Sequence, residues 1–137
     1  MTVTQLLMHN LAPRGITATC VPTTICFCTG ASYYDVEEVL VREQPKNYRP
    51  DLRGNKGVHT DQLLRESRVL FGHKFTRASF SPRGFTVDGF IRTHPRGLFL
   101  LRIHKHVFAV KDGVVYDLCN TNMREQVFAA WQVEKLS

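Results

Sequence analysis

The apolar and polar pattern is clearest over residues 106–117, His-Val-Phe-Ala-Val-Lys-Asp-Gly-Val-Val-Tyr-Asp. β-Branched and aromatic residues flank Asp112-Gly113, a pair that suits a two-residue hairpin turn because both residues tolerate positive φ. A turn centred there sets the register. Lys111 faces Val114, Val110 faces Val115, Ala109 faces Tyr116, Phe108 faces Asp117, and His106 faces Cys119. Paired residues share a side of the sheet, so His106, Phe108, Val110, Val115, Asp117 and Cys119 fall together. His106 and Asp117 become diagonal neighbours, about 7–8 Å apart at the backbone and within side-chain reach.

Upstream the period changes. Thr19-Cys-Val-Pro-Thr-Thr-Ile-Cys-Phe-Cys-Thr-Gly30 predicts a short buried helix. Thr19 suits the N-cap, Pro22 is tolerated only in a first turn, and Gly30 suits a C-terminal stop. Ser32-Tyr-Tyr-Asp35 opens a second helix in capping-box style, with Val36, Val39 and Leu40 as its apolar stripe and Pro45 as its end. Residues 45–58 read as a loop. A third helix is expected from Asp61 to Leu70, capped by Thr60, with Leu63, Leu64 and Leu70 inward and Gly72 closing it. Residues 1–15 form an arm or a first short helix. A short strand at Lys74–Phe80 precedes a Pro82/Gly84 turn, and Thr86 caps a short helix through Arg92. From Leu98 the pattern is β: a strand at Leu98–Ile103, a tight His104-Lys105 link, the hairpin, and a last strand at Val127–Val133. Helices first and an antiparallel sheet last predict one α+β domain over residues 1–137.

Composition narrows the classes. A chain of 137 residues can bury a core without disulfides or metals. No apolar run approaches the ~20 residues of a membrane span. The first residues lack the features of a secretory signal, so a cytoplasmic location with free thiols is expected. The formal charge of +6 is uneven. Residues 42–102 hold thirteen Lys and Arg against five acids. Arg49, Arg53, Lys56, Arg65 and Arg68 therefore become candidates for binding an acidic partner. With Lys74, Arg77 and Arg83, and with Tyr48, Phe75 and Phe80 as stacking surfaces, the same charge could face nucleic acid. No nucleic-acid-binding motif supports that reading.

The candidate chemistry rests on Cys20. A thiol nucleophile needs surroundings that favour thiolate, and a helix N-terminus and an imidazolium both supply them. Cys20 opens the buried helix, His106 can serve as its base, and Asp117 can orient His106 from the other ring nitrogen. The backbone N–H of Cys20 is a natural oxyanion donor. Cys26 and Cys28, inside the helix, read as buried core thiols. Cys119 faces His106 across the hairpin and is the rival nucleophile, without helix-end activation. A metal set of Cys26, Cys28, His104 and His106 lacks a recognised spacing, and no metal or cofactor is expected.

Two stretches together resemble small phage- and bacterium-encoded papain-like cysteine proteases. Residues 20–39 are similar to that family's nucleophile segment: a cysteine opening an apolar helix, Thr29-Gly30 nine and ten residues on, then a Tyr-x-x-Val helix. Residues 90–117 resemble its short helix, Pro-x-Gly strand and histidine-bearing hairpin ending in Asp. The resemblance spans roughly residues 18–133. It implies a papain-like fold, with N-terminal helices packed on a C-terminal antiparallel sheet. It also implies Cys20 as nucleophile, His106 as base, Asp117 as orienting residue, and a peptide or amide substrate. The chain departs from the family twice. Lys105 stands where Gly often precedes the histidine, and no Gln lies at 15–19 to complete an oxyanion hole. That leaves the Thr19 hydroxyl and the Cys20 N–H. A non-catalytic module that binds through its basic middle is the alternative.

Overall fold

The computed structural model describes residues 1–48, 58–80 and 85–137. The elements run in the order α1 (Val3–His9), α2 (Cys20–Thr29), α3 (Tyr33–Glu43), α4 (Thr60–Leu64), β1 (Ser67–Leu70), β2 (His73–Arg77), α5 (Val87–Thr93), β3 (Leu98–Ile103), β4 (His106–Lys111), β5 (Val114–Tyr116) and β6 (Ala129–Lys135). The six strands form one sheet in the order β1-β2-β6-β3-β4-β5. Every neighbouring pair is antiparallel. The fold is therefore α+β.

The two sides of the sheet follow the period of two. Phe75, Leu100, Val107, Ala109, Trp131 and Val133 join Val21 and Ile25 of α2, and Val36 and Leu40 of α3, in one core. Phe99, Leu101, Phe108, Val110 and Ala130 face the other way, against Val87 and Phe90 of α5. The central strands are thus apolar on both sides.

Local signals place the helices. Thr2 and Gln5 make a reciprocal capping box on α1. The Ser32 hydroxyl accepts the Asp35 N–H at 3.1 Å, and Gly30 ends α2 at φ 76°. Thr86 caps α5 by accepting the Gly89 N–H at 3.0 Å. The hairpin forms with the expected pairs Lys111–Val114, Val110–Val115 and Ala109–Tyr116. Asp112 and Gly113 both adopt positive φ, 49° and 79°. Lys105 also lies at positive φ, 55°, in the β3–β4 turn.

Five expectations need correction. The helix expected from Asp61 to Leu70 stops at Leu64. Arg65 turns to φ 56°, and residues 67–70 become β1, paired with β2 through a turn in which Phe71 and Gly72 take positive φ. Gly72 is a hairpin residue and not a helix stop. Leu63, Leu64 and Leu70 are all buried as expected, so the inward positions were right and the backbone was not. The N-cap of α4 is His59, and Thr60 is its first residue. The last strand runs over Ala129–Lys135, two residues later at each end than the expected Val127–Val133, and the Phe128 N–H bonds the Arg102 carbonyl just ahead of it. The strand expected at Lys74–Phe80 is β2, which ends at Arg77. Most of the 45–58 loop and the Pro82/Gly84 turn lie outside the described residues. Among those described, no helix is long and apolar enough to cross a membrane.

Candidate active site

Cys20 is the first residue of α2, where backbone N–H groups lack intrahelical acceptors. His106 is the first residue of β4, against which α2 packs. The His106 Nε2 lies 2.6 Å from Asp117 Oδ1. Nδ1 is then the ring nitrogen left for Cys20. The side chains of Cys20 and His106 interact and border the same cleft. The sequence-derived trio is assembled at one place.

Asp117 lies just beyond β5 and is 3 % exposed. A buried carboxylate is costly unless its oxygens are satisfied. Oδ1 accepts from His106 and from the Cys119 N–H at 3.2 Å, and Oδ2 accepts the Thr121 hydroxyl at 2.7 Å. Burial by itself pushes the His106 pKa down. The hydrogen bonds that the ring gives to Asp117 and Cys20, and the charges of those two groups, outweigh it and raise the imidazole to about 10. The ring is an imidazolium at neutral pH.

The cleft encloses about 870 Å³. Cys20 and Val21 form one side, the segment Val58–Gln62 another, and the β3–β4 turn with His104 and Lys105 a third. The Val58–Gln62 wall is held from behind by Gln44, the C-cap of α3. Gln44 accepts the His59 N–H at 2.7 Å and donates to the His59 carbonyl at 2.9 Å. Across the floor, Arg102 Nη2 donates to Asp61 Oδ2 at 3.2 Å. Its Nε lies 2.6 Å from Oδ1 but off the hydrogen-bond direction, so that contact is a charge contact.

Behind Cys20, the Tyr33 hydroxyl accepts the Thr19 N–H at 3.3 Å and lies 3.1 Å from Thr19 Oγ1. The Thr19 hydroxyl therefore makes no cap bond to its own helix. Deeper in, Tyr48 donates to the buried Glu37 carboxylate.

The other candidates separate clearly. Cys26 and Cys28 are buried, and desolvation, aided by the Glu37 charge, pushes the Cys26 thiol up to about 12. Burial raises Cys28 as well. The Cys26, Cys28, His104 and His106 set does not assemble. Among the described residues, the one group of three metal-type donors is His106, Asp117 and Cys119. The β4–β5 ladder ends at Ala109–Tyr116, so the expected Phe108–Asp117 and His106–Cys119 pairs do not form; Cys119 is exposed and comes close to the imidazole from beyond β5, but it does not line the cleft.

Of the partner-binding candidates, Arg49, Arg53 and Lys56 lie outside the described residues, as does Arg83. Arg65 is exposed. Arg68 is held bidentate by Glu43, with Nη1 also on the Leu63 carbonyl at 2.9 Å. Tyr48 and Phe75 are fully buried in the core, so neither is a stacking surface for bases. Thr121, Tyr33 and Gln44 escaped sequence reading. Each acts through a contact remote in sequence or through a loop with no periodic pattern. Compared with known proteins, the chain matches no family model, no curated protein and no solved structure.

Proposed function

We propose that the chain is a thiol hydrolase of papain-like type, a cysteine peptidase or amidase that works through an acyl-Cys20 intermediate. One observation supports this above the others. A buried, three-fold hydrogen-bonded Asp117 fixes Nε2 of His106, and the rest of the imidazole meets a cysteine at a helix N-terminus beside an open cleft. A histidine with a purely structural role needs neither the thiol nor the cleft.

The chemistry follows from the placements. The site's mobile proton resides on His106, whose affinity for it is raised. The Cys20 sulfur attacks the carbonyl carbon, and the carbonyl oxygen becomes an oxyanion. The Cys20 N–H is one donor for that charge. Tyr33 can give its proton to Thr19 Oγ1, which frees the Thr19 hydroxyl proton as a second donor and compensates for the missing Gln. His106 protonates the leaving amine, the C–N bond breaks, and a thioester remains. His106 then takes a proton from water, hydroxide adds to the thioester, and acid and Cys20 are released. The wider reading, a phage-type protein at work in a host cytoplasm, rests on the sequence resemblance alone.

The test is labelling by an electrophilic acyl or halomethyl-ketone probe near neutral pH, with peptide mapping. Cys20 should react well ahead of Cys26, Cys28 and Cys119, and His106→Ala should slow it at least about tenfold. A Cys20 no faster than a free thiol rejects the enzyme. If Cys20→Ala also keeps the full biological effect, the basic-surface binding module takes its place.

A further inference from the structure

The acyl-transfer chemistry leaves one donor beside the catalytic pair unused. After β5 the Cys119 N–H closes onto Asp117 Oδ1, a local turn of the kind Asp side chains favour. That turn swings the exposed Cys119 thiol back toward the pair. A ring nitrogen of His106, a carboxylate oxygen of Asp117 and the Cys119 sulfur all lie within 4.8 Å of one another.

We propose that His106, Asp117 and Cys119 bind a thiophilic divalent cation of the zinc class, and that its binding switches the hydrolase off. Binding stands on the donor set alone, whereas the switch rests on the function proposed above.

The donor set selects the ion. Imidazole, carboxylate and thiolate with an open fourth position suit zinc and its soft relatives, while magnesium and calcium need more oxygen ligands. Zinc holds sulfur at about 2.3 Å and nitrogen or oxygen at about 2.0–2.2 Å, so the Cys119 sulfur must move in while Nε2 and Oδ1, now 2.6 Å apart, must part to admit the ion. Cys119 is the side chain able to close the gap, because it is exposed. Asp117 is already turned toward the site. Thr121 and the Cys119 N–H keep it oriented, the supporting role that outer partners play at metal sites.

Two protons leave for solvent on binding, the one between Nε2 and Oδ1 and the one on the Cys119 sulfur. The lone pair on Nε2 and the Asp117 oxygen then go to the metal. His106 loses the carboxylate that orients it, and its ring, left with the Nδ1 proton alone, is no longer the imidazolium that protonates the leaving amine. Cys20, on the other ring nitrogen, is not a ligand.

The experiment titrates Co²⁺, then Zn²⁺, into the full-length Cys20→Ala chain. One equivalent of Co²⁺ should give a thiolate-to-cobalt charge-transfer band that Zn²⁺ displaces. Cys119→Ser added to Cys20→Ala should remove the band and weaken Zn²⁺ binding at least about tenfold. In the protein with Cys20 intact, Zn²⁺ should lower the hydrolysis rate, and the ratio of rates with and without Zn²⁺ should return toward one in Cys119→Ser. A band that survives Cys119→Ser, or no binding to Cys20→Ala at millimolar metal, overturns the site. If the band appears as expected but the chain hydrolyses nothing, the site stands and the switch falls.

Discussion

At the scale of single residues, the site turns on how firmly Asp117 is held. Its two oxygens accept three hydrogen bonds, from His106, Cys119 and Thr121, and its charge is what lets a half-buried imidazole stay protonated. This sets a pH dependence with a definite sign. In the proposed hydrolysis the competent ring is the imidazolium, which donates to the leaving group. Activity should therefore fall as pH rises through the His106 value of about 10. Asp117→Asn weakens the hydrogen bond and removes the charge through which Asp117 raises the value, leaving Cys20 alone to hold it up, so the alkaline limb of the probe-labelling profile should move toward the ordinary histidine range near 6.5. The labelling rate at pH 8 should drop at least about tenfold. An alkaline limb that stays in place would mean that Asp117 is not what holds the proton. Cys20, His106 and Asp117 were all legible in the sequence, because a helix-start signal and a hairpin register each fix a position without knowledge of the rest. Thr121 was not. It sits in an irregular turn, and nothing in Asn120-Thr-Asn122 shows which hydroxyl will reach back to the carboxylate.

At the scale of elements, contacts remote in sequence decided what local patterns could not. Residues 61–70 have a helical spacing of leucines, and a helix was expected throughout. Pairing with β2, and the Trp131 indole that donates to the Arg65 carbonyl at 2.7 Å, favour a strand after residue 66 instead. Weak helix propensity yields to a hairpin that extends the sheet. The elements whose boundaries were legible, α2, β3 and β4, are bounded by residues with strong backbone demands. Gly30 is one of these. A Cβ there meets open space, so the cost of Gly30→Ala is conformational alone, about 1–2 kcal/mol in chemical denaturation. A cost near zero would show that the left-handed stop is dispensable. Gln44 makes a different prediction. It holds the cleft wall by two bonds to the His59 backbone and contributes nothing to the reacting atoms. Gln44→Ala should cost about 1–3 kcal/mol of stability and raise KM more than it lowers kcat. An unchanged KM would dissociate the wall from substrate binding.

For the whole molecule, the important fact is the place of β6. It lies between β2 and β3 and joins the β1-β2 hairpin to the strands that carry His106. Trp131, the chain's one tryptophan, is fully buried there. Trp131→Ala should cost about 3–5 kcal/mol, a large share of the stability of a domain this size. Circular dichroism during urea unfolding would measure it, and a loss under 1 kcal/mol would contradict a keystone role. The order of strands in space also differs from the order in which they are made. During synthesis, Cys20, His106 and Asp117 all emerge before β6 does. Until it arrives, β2 and β3 have no strand between them, and the core behind α2 lacks Trp131. Chain growth itself thus acts as a timer, and the nascent polypeptide beside the ribosome carries Cys20, His106 and Asp117 without the sheet that aligns them.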